Sequence, residues 1–371
     1  MDRIAETPTV VIDEARMRAN VERMRSLAAR HELTLRPHVK THKSIELARI
    51  QQDAGAFGFT ASKSEEAALF AAAGFPSVTV AYPLVSDPPI ERLVETAREH
   101  GCELRFVIDS PQAIAAITRH VERLPEPAAV YLEIDVGLGR CGVLPGAPDL
   151  LELAGTIASS ERLRFAGILS HAGHAYAASN REEVAGIAEQ ERTIMATVRA
   201  RLESAGIAVP IVSVGSTPTV LAAESFEGID EIRPGNYIVL DGIQVALGVA
   251  RYDQVALTVL TTIVGRTATH YIVDAGSKTL SSDRGAHGAE RPVGYGAAFI
   301  TAIDDDADPL AVVRLSEEHG FVERRGTDLA IGTRLRIVPN HACPVVNLAR
   351  ELVLVGDDVR RIDVDARGCV H

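Results

Sequence analysis

Short apolar runs rich in β-branched residues alternate, along the first two-thirds of the chain, with stretches whose apolar residues recur every three or four positions. After a helix signalled by Met17, Val21, Met24 and Ala28, the runs are TLRPHVK, AFGFTAS, SVTVAYPLV, ELRFVID, AVYLEIDVG, FAGILSHA, IVSVGST and EIRPGNYIVL. Helix-like segments such as KSEEAALFAAAG and PIERLVETAREHG separate them, and several end in Gly. Eight strand–helix repeats over roughly 210 residues predict a closed (β/α)8 TIM-type barrel of class α/β rather than an open sheet. From about residue 250 the texture changes: QVALTVLTTIVGR, THYIVDAGS, LAVVRLSEEHG and RLRIVPNHAC are β-rich and turn-bounded, with no long amphipathic helix between them. The pattern divides the chain into a barrel over 14–243 and a mostly β domain made of 1–13 and 244–371, the opening strand TPTVVID joining the second.

The chain's 371 residues carry a formal net charge of -12, so no basic field favours nucleic acid or an anionic membrane, and a small molecule is the expected partner. Four scattered cysteines, Cys102, Cys141, Cys343 and Cys369, do not form a disulfide framework. With no apolar leader or membrane-length run, a cytoplasmic location is expected.

In such a barrel, chemistry gathers where strands end. The polar residues there are Arg36, His38 and Lys40; Asp135 and Arg140; Ser170, His171, His174 and Tyr176; Gly215, Ser216, Thr217 and Thr219; and Gly235, Asn236 and Tyr237. GSTPT and PGNY read singly as a helix cap and a turn. Together, after the last two strands, they suit a phosphate. A phosphate site plus a lysine ending the first strand suggests pyridoxal phosphate, with the Lys40 ammonium disfavoured by Arg36, His38, His42 and Lys43 around it. The bland alternative is a solvated basic loop. His341 and Cys343, two apart in an expected extended segment, project to one side and suit a metal, although a buried cysteine beside an interface histidine explains the bare pair more simply.

RPHVKTHKS, EIDVGLGRCGV, GILSHAGHAY, VSVGSTPT, RPGNY, DAGSK, LSEEHG and PNHACPVVNL, in this order from residue 7 to about 350, resemble the D-threonine aldolase and D-serine dehydratase family of fold-type III, alanine-racemase-like pyridoxal phosphate enzymes. The resemblance implies a lyase of D-β-hydroxy amino acids, a homodimer, and a divalent metal beside the cofactor. It implies Lys40, not Lys43, as the lysine that carries the cofactor. Gly215, Ser216, Thr217, Gly235, Asn236 and Tyr237 would hold its phosphate, and Arg140 and Tyr176 would lie near its ring. His341 and Cys343 become the metal ligands, with His171 or His174 as a further base. Cysteine rather than aspartate in the metal pair is the dehydratase pattern and favours zinc over manganese, magnesium or cobalt. The products would be a 2-oxo acid and ammonia, the alternative being retro-aldol cleavage to glycine and an aldehyde. A racemase using Tyr295, one of the three tyrosines after residue 243 with Tyr252 and Tyr271, and a non-catalytic single-domain carrier of the cofactor, are more distant readings. Glu317, Glu318 and His319 either approach the metal or form a solvated turn, and Asp274, Lys278, Asp283 and Arg284 either reach a dimer interface or cap turns.

Overall fold

The computed structural model describes residues 4–285, 292–300 and 302–371. Strand β1 (Thr9–Asp13) leads into a helix over Glu14–Arg30, which starts where the Asp13 side chain accepts the Arg16 amide at 3.0 Å and buries Met17, Val21, Met24 and Ala28. The next eight strands are β2 (Thr34–Leu35), β3 (Phe59–Ala61), β4 (Ser77–Val80), β5 (Glu103–Ile108), β6 (Ala128–Ile134), β7 (Leu163–Ser170), β8 (Ile211–Val214) and β9 (Glu231–Ile232). Each coincides with one of the eight apolar runs. They form one parallel sheet in the order β2-β9-β8-β7-β6-β5-β4-β3. Its ends meet through a bridge between His38 and Thr60, with the Thr60 amide donating to the Pro37 carbonyl at 2.8 Å, so the sheet closes into a barrel.

The barrel interior departs from the usual apolar layers. Arg36 is fully buried and donates to Glu231 at 2.8 Å and to Ser77 at 3.0 Å. Arg105 donates to the Tyr131 phenol at 3.0 Å, Ser213 donates to Glu231 at 2.6 Å, and Arg233 donates to Ser213 and to the Ser170 carbonyl. Arg36 therefore points into the barrel rather than joining the rim where the sequence pattern puts it.

Strands β10 (Leu257–Arg266), β11 (His270–Val273), β12 (Gly296–Phe299), β13 (Leu310–Leu315), β14 (Gly320–Glu323), β15 (Arg334–Pro339), β16 (Glu351–Val355) and β17 (Val359–Asp363) build a second sheet with β1, in the order β11-β14-β13-β12-β15-β10-β1-β16-β17. β1 lies between β10, antiparallel, and β16, parallel, so the N-terminal strand is inserted in this sheet as its apolar run TVVID suggests. After β15 a short helix over Ala342–Leu348 begins, with His341 as its N-cap and Cys343 in its first turn. The HAC segment is thus a strand-to-helix turn, not the extended run expected. Among the described residues no helix is long and apolar enough to cross a membrane.

Candidate active site

A cavity of about 660 Å³ opens at the C-terminal ends of the barrel strands and reaches the turn after β15. It is lined by His38, Lys40 and Thr41, by Ser62, Lys63 and Tyr82, by Glu133, Arg140 and Cys141, by His171 and Tyr176, by Gly215, Ser216, Thr217, Arg233, Gly235 and Asn236, and by Asp283, His341 and Cys343. Most of the residues singled out in the sequence are thereby brought together. His174 and Tyr237 are not among the lining residues. His174 packs over Gly137 with its Nδ1 buried and without a hydrogen-bond partner among the described residues, whereas the Tyr237 phenol accepts from Gln51 and its amide donates to Thr217 at 3.1 Å.

The basic stretch RPHVKTHKS resolves into groups neutralised one by one. Arg36 pairs with Glu231, and His42 bonds Gln51 at 3.1 Å while burial pushes its imidazole down to about 4. Lys43 is buried and donates to Glu66 at 2.8 Å and to the carbonyls of Ala366 and Cys369. Burial, aided by Lys40, also keeps His38 uncharged, with its Nδ1 accepting the Lys40 amide at 3.3 Å. Of the three Lys and Arg side chains in this stretch, Lys40 is the one that faces the cavity with no ion-pair partner among the described residues. Its ammonium is disfavoured chiefly by burial, which the Cys343 thiolate opposes and Arg140 reinforces. Like-charge crowding is the smaller cause, contrary to the reading of the bare sequence, because Arg36 and Lys43 are already paired.

The turns after β8 and β9 form one end of the cavity. Gly215 has φ +102, and a Cβ there would come within 2.7 Å of Val220 Cγ2; one on Gly235 would lie 2.9 Å from the His38 carbonyl oxygen. Both glycines line the cavity and neither has room for a side chain against its protein neighbours, so backbone rather than side chain faces the cavity at these two turns, as a phosphate cradle requires. An aldehyde-reactive amine and such a cradle in one cavity fit pyridoxal phosphate.

The second-sheet wall holds His341 and Cys343. His341 Nδ1 is 2.7 Å from Asp283 Oδ2, which leaves the other ring nitrogen for Cys343, its hydrogen-bond partner. Burial opposes charge on both, but their mutual attraction wins: the imidazole is held protonated and the thiol is pulled below its ordinary value. An imidazole oriented by a carboxylate beside a readily ionised thiol is a donor set suited to a soft divalent metal. Among the described residues no group of three or more His, Cys, Asp or Glu is gathered as a metal site. Asp241 ties the two ends of the cavity together: buried, with its acidity weakened chiefly by that burial, it accepts from Asn236 at 2.7 Å and from the Ala342 amide at 2.9 Å.

Arg233, Glu133 and Asp241 carry no expectation from the sequence pattern, whereas Asp283, expected at a dimer interface or as a turn cap, accepts the Gly285 amide at 3.0 Å in its turn and also contacts His341. Burial pushes the Glu133 carboxyl up to about 7, with Arg140 opposing. Period-two alternation places Glu231 and Arg233 on the same inward side of their strand, the one signal that marks Arg233. Burial also raises the Tyr176 phenol, which lines the cavity. Glu317 and Glu318 instead pair with Lys278 at 2.9 and 2.8 Å on the exposed surface, and Asp274 accepts from Thr7 and Thr261, so these do not reach the cavity. Tyr252, Tyr271 and Tyr295 do not line it either.

Residues 12–241 match the alanine racemase, N-terminal domain family, and residues 256–355 match the putative serine dehydratase domain. The chain is 37% identical over 351 residues to a D-threo-3-hydroxyaspartate dehydratase of Delftia sp. (strain HT23), covering 91% of each protein. It is 30% identical to a D-threonine aldolase of Arthrobacter sp., covering 98% of this chain and 93% of that one. The solved structure of a cysteine-to-alanine mutant of the D-threo-3-hydroxyaspartate dehydratase, in its metal-free form, superposes with a TM-score of 0.88 at 34% identity, covering 97% of both chains. A histidine-to-alanine mutant of that enzyme, altered two positions earlier, superposes with a TM-score of 0.89 at 34% identity, covering 97% of this chain and 95% of that one.

Proposed function

The chain belongs to the D-threonine aldolase and D-serine dehydratase family of fold-type III pyridoxal phosphate enzymes, and from that premise we propose that it is a pyridoxal-phosphate- and divalent-metal-dependent lyase of D-β-hydroxy amino acids that acts as a dehydratase, giving a 2-oxo acid and ammonia. The observation that carries this reading is Lys40: in a stretch whose other cations and imidazoles are each neutralised, one amine faces the cavity with its charged form disfavoured. Bound pyridoxal phosphate supplies an aldehyde for amines and a sink for the electron pair left at Cα, and a divalent metal supplies Lewis acidity.

The protein's own groups divide the remaining work. Gly215, Ser216, Thr217, Gly235 and Asn236 hold the phosphate, and Tyr237 supports that turn through its amide on Thr217. Arg140 and Tyr176 flank the cofactor ring. His341, oriented by Asp283, and Cys343 hold the metal, and the thiolate favours zinc. Lys40, whose ammonium form is disfavoured by burial, takes the proton from the substrate Cα. His171, on the cavity wall, handles the proton at the β-hydroxyl, while His174 packs behind that wall. Loss of the β-hydroxyl and hydrolysis then yield the 2-oxo acid and ammonia. The protein works as a homodimer, with residues 14–243 as the cofactor-binding unit and 1–13 with 244–371 as the unit that brings the metal ligands.

Retro-aldol cleavage is the second reading, favoured by the likeness to the Arthrobacter aldolase. Incubating purified protein with D-serine, D-threonine and D-threo-3-hydroxyaspartate, with and without EDTA, tests both. The dehydratase reading requires a 2-oxo acid and ammonia that disappear on chelation. Glycine and an aldehyde would replace it with the aldolase, and borohydride trapping of the cofactor on a residue other than Lys40 would overturn the site.

A further inference from the structure

Only four of the chain's 38 cationic side chains are lysines: Lys40, Lys43, Lys63 and Lys278. Lys40 faces the cofactor cavity, Lys43 is tied to Glu66, and Lys278 sits between Glu317 and Glu318 on the surface. Lys63 lines the same cavity as Lys40 and has no carboxylate partner among the described residues. Its ammonium lies 3.7 Å from the centroid of the Tyr82 ring. A ring holds a cation in place without neutralising it, so the charge stays available to an anion.

The topology separates this cation from the phosphate cradle. β2 lies between β9 on one side and, through the His38–Thr60 bridge, β3 on the other. Lys40 therefore stands with the phosphate turns after β8 and β9 to one side and Lys63, just past β3, to the other. In a chain of net charge -12, the carboxylates on the cavity wall are Glu133 and Asp283, and Asp283 is engaged by His341. Lys63 is thus a positive charge on the wall of the same cavity as the reacting amine, on the β3 side rather than the phosphate side, with no carboxylate counter-ion among the described residues.

We propose that Lys63, seated on Tyr82, is a specificity-determining residue that binds a second carboxylate carried on the substrate's β-carbon. The inference deepens the lyase reading and rests on it for the β-hydroxyl: the preferred substrates are D-β-hydroxy amino dicarboxylates, above D-serine and D-threonine.

The test uses D-aspartate and D-alanine, which differ by one β-carboxylate and lack the hydroxyl, titrated into holoenzyme and followed by calorimetry. D-aspartate is expected to bind at least about tenfold tighter than D-alanine, the scale of one hydrogen bond to a charged group. Lys63→Met should bring the ratio to near unity, and Lys63→Arg should retain most of it. A wild-type ratio near unity overturns the inference, as does loss of affinity for both ligands by the same factor in Lys63→Met, which would place Lys63 on the α-carboxylate instead. The aspartate preference without elimination or retro-aldol products would sink the lyase reading and leave this one standing. Lyase products without that preference would do the reverse.

Discussion

Asp283 is where the geometry makes its sharpest claim about metal affinity. Its Oδ2 lies 2.7 Å from His341 Nδ1, and the loop holding it is fixed by the Gly285 amide donating to Oδ1 at 3.0 Å and by the Asp283 amide donating to Ser281 at 3.1 Å. The carboxylate does two separable things: it accepts the Nδ1 proton, leaving the other ring nitrogen for a metal, and its charge raises the basicity of the ring. With the Asp283 side chain 36% and the His341 side chain 17% exposed, solvent screens the charge more than it weakens the hydrogen bond. Asp283→Asn keeps an acceptor oxygen and loses the charge, so zinc affinity should fall only about threefold to tenfold. Asp283→Ala loses both and should fall about 10- to 100-fold, or about 1.4–2.7 kcal/mol. Competition against a chromophoric chelator at pH 7.5 reads these constants without turnover. Unchanged affinity in Asp283→Ala would refute the orienting role, and an equal loss in both variants would show that charge, not the tautomer, is what Asp283 contributes.

Lys43→Met leaves the buried Glu66 carboxylate without its counter-ion and with Ser62 as its remaining donor, so thermal or urea unfolding should show a loss of about 3 kcal/mol, while borohydride trapping at Lys40 persists in whatever fraction remains folded. The Glu133 carboxyl, raised by burial to about 7, gives the apoprotein stability that is complete below about 4.5 and lost as pH rises through 7. Glu133→Gln should remove that slope and gain up to roughly 3 kcal/mol on wild type between pH 5 and pH 8, and parallel urea profiles of the two proteins would contradict the assignment. Gly215→Ala forces an unfavourable φ and a contact with Val220, so cofactor affinity read from the absorbance titration should drop at least about tenfold, and an unchanged constant would remove this turn from the phosphate cradle.

The fold was legible because its signals are local. Each barrel strand falls within a short, mainly apolar run set off from helix-period segments, as with the wholly buried β6 (Ala128–Ile134), and the helix over Glu14–Arg30 announces itself through Met17, Val21, Met24 and Ala28. What misled is equally physical. His341 and Cys343 follow an apolar strand, which suggests that the strand continues, yet Asn340 turns the chain by donating to the carbonyls of Arg284, Pro292 and Gly294. Those acceptors lie some 50 residues away in sequence, and no local pattern carries them.

The same distinction explains which site residues could be seen. Lys40, Gly215 and Gly235 end apolar runs, so period and position along the chain are enough to mark them. Asp283, Arg233 and Asp241 act through partners 58, 63 and 101 residues distant, and they become intelligible only once the barrel closes and the second sheet docks over its rim. Lys63 belongs with this second group. Its chemistry is visible in the sequence only as one more charge opening a helix; what gives it meaning is the His38–Thr60 bridge, which sets β3 beside β2 and so carries a second ammonium, without a carboxylate partner among the described residues, to the wall of the cavity that Lys40 faces. Closure of the barrel is therefore both the event that completes the fold and the one that brings two lysines far apart in strand order to the wall of one cavity.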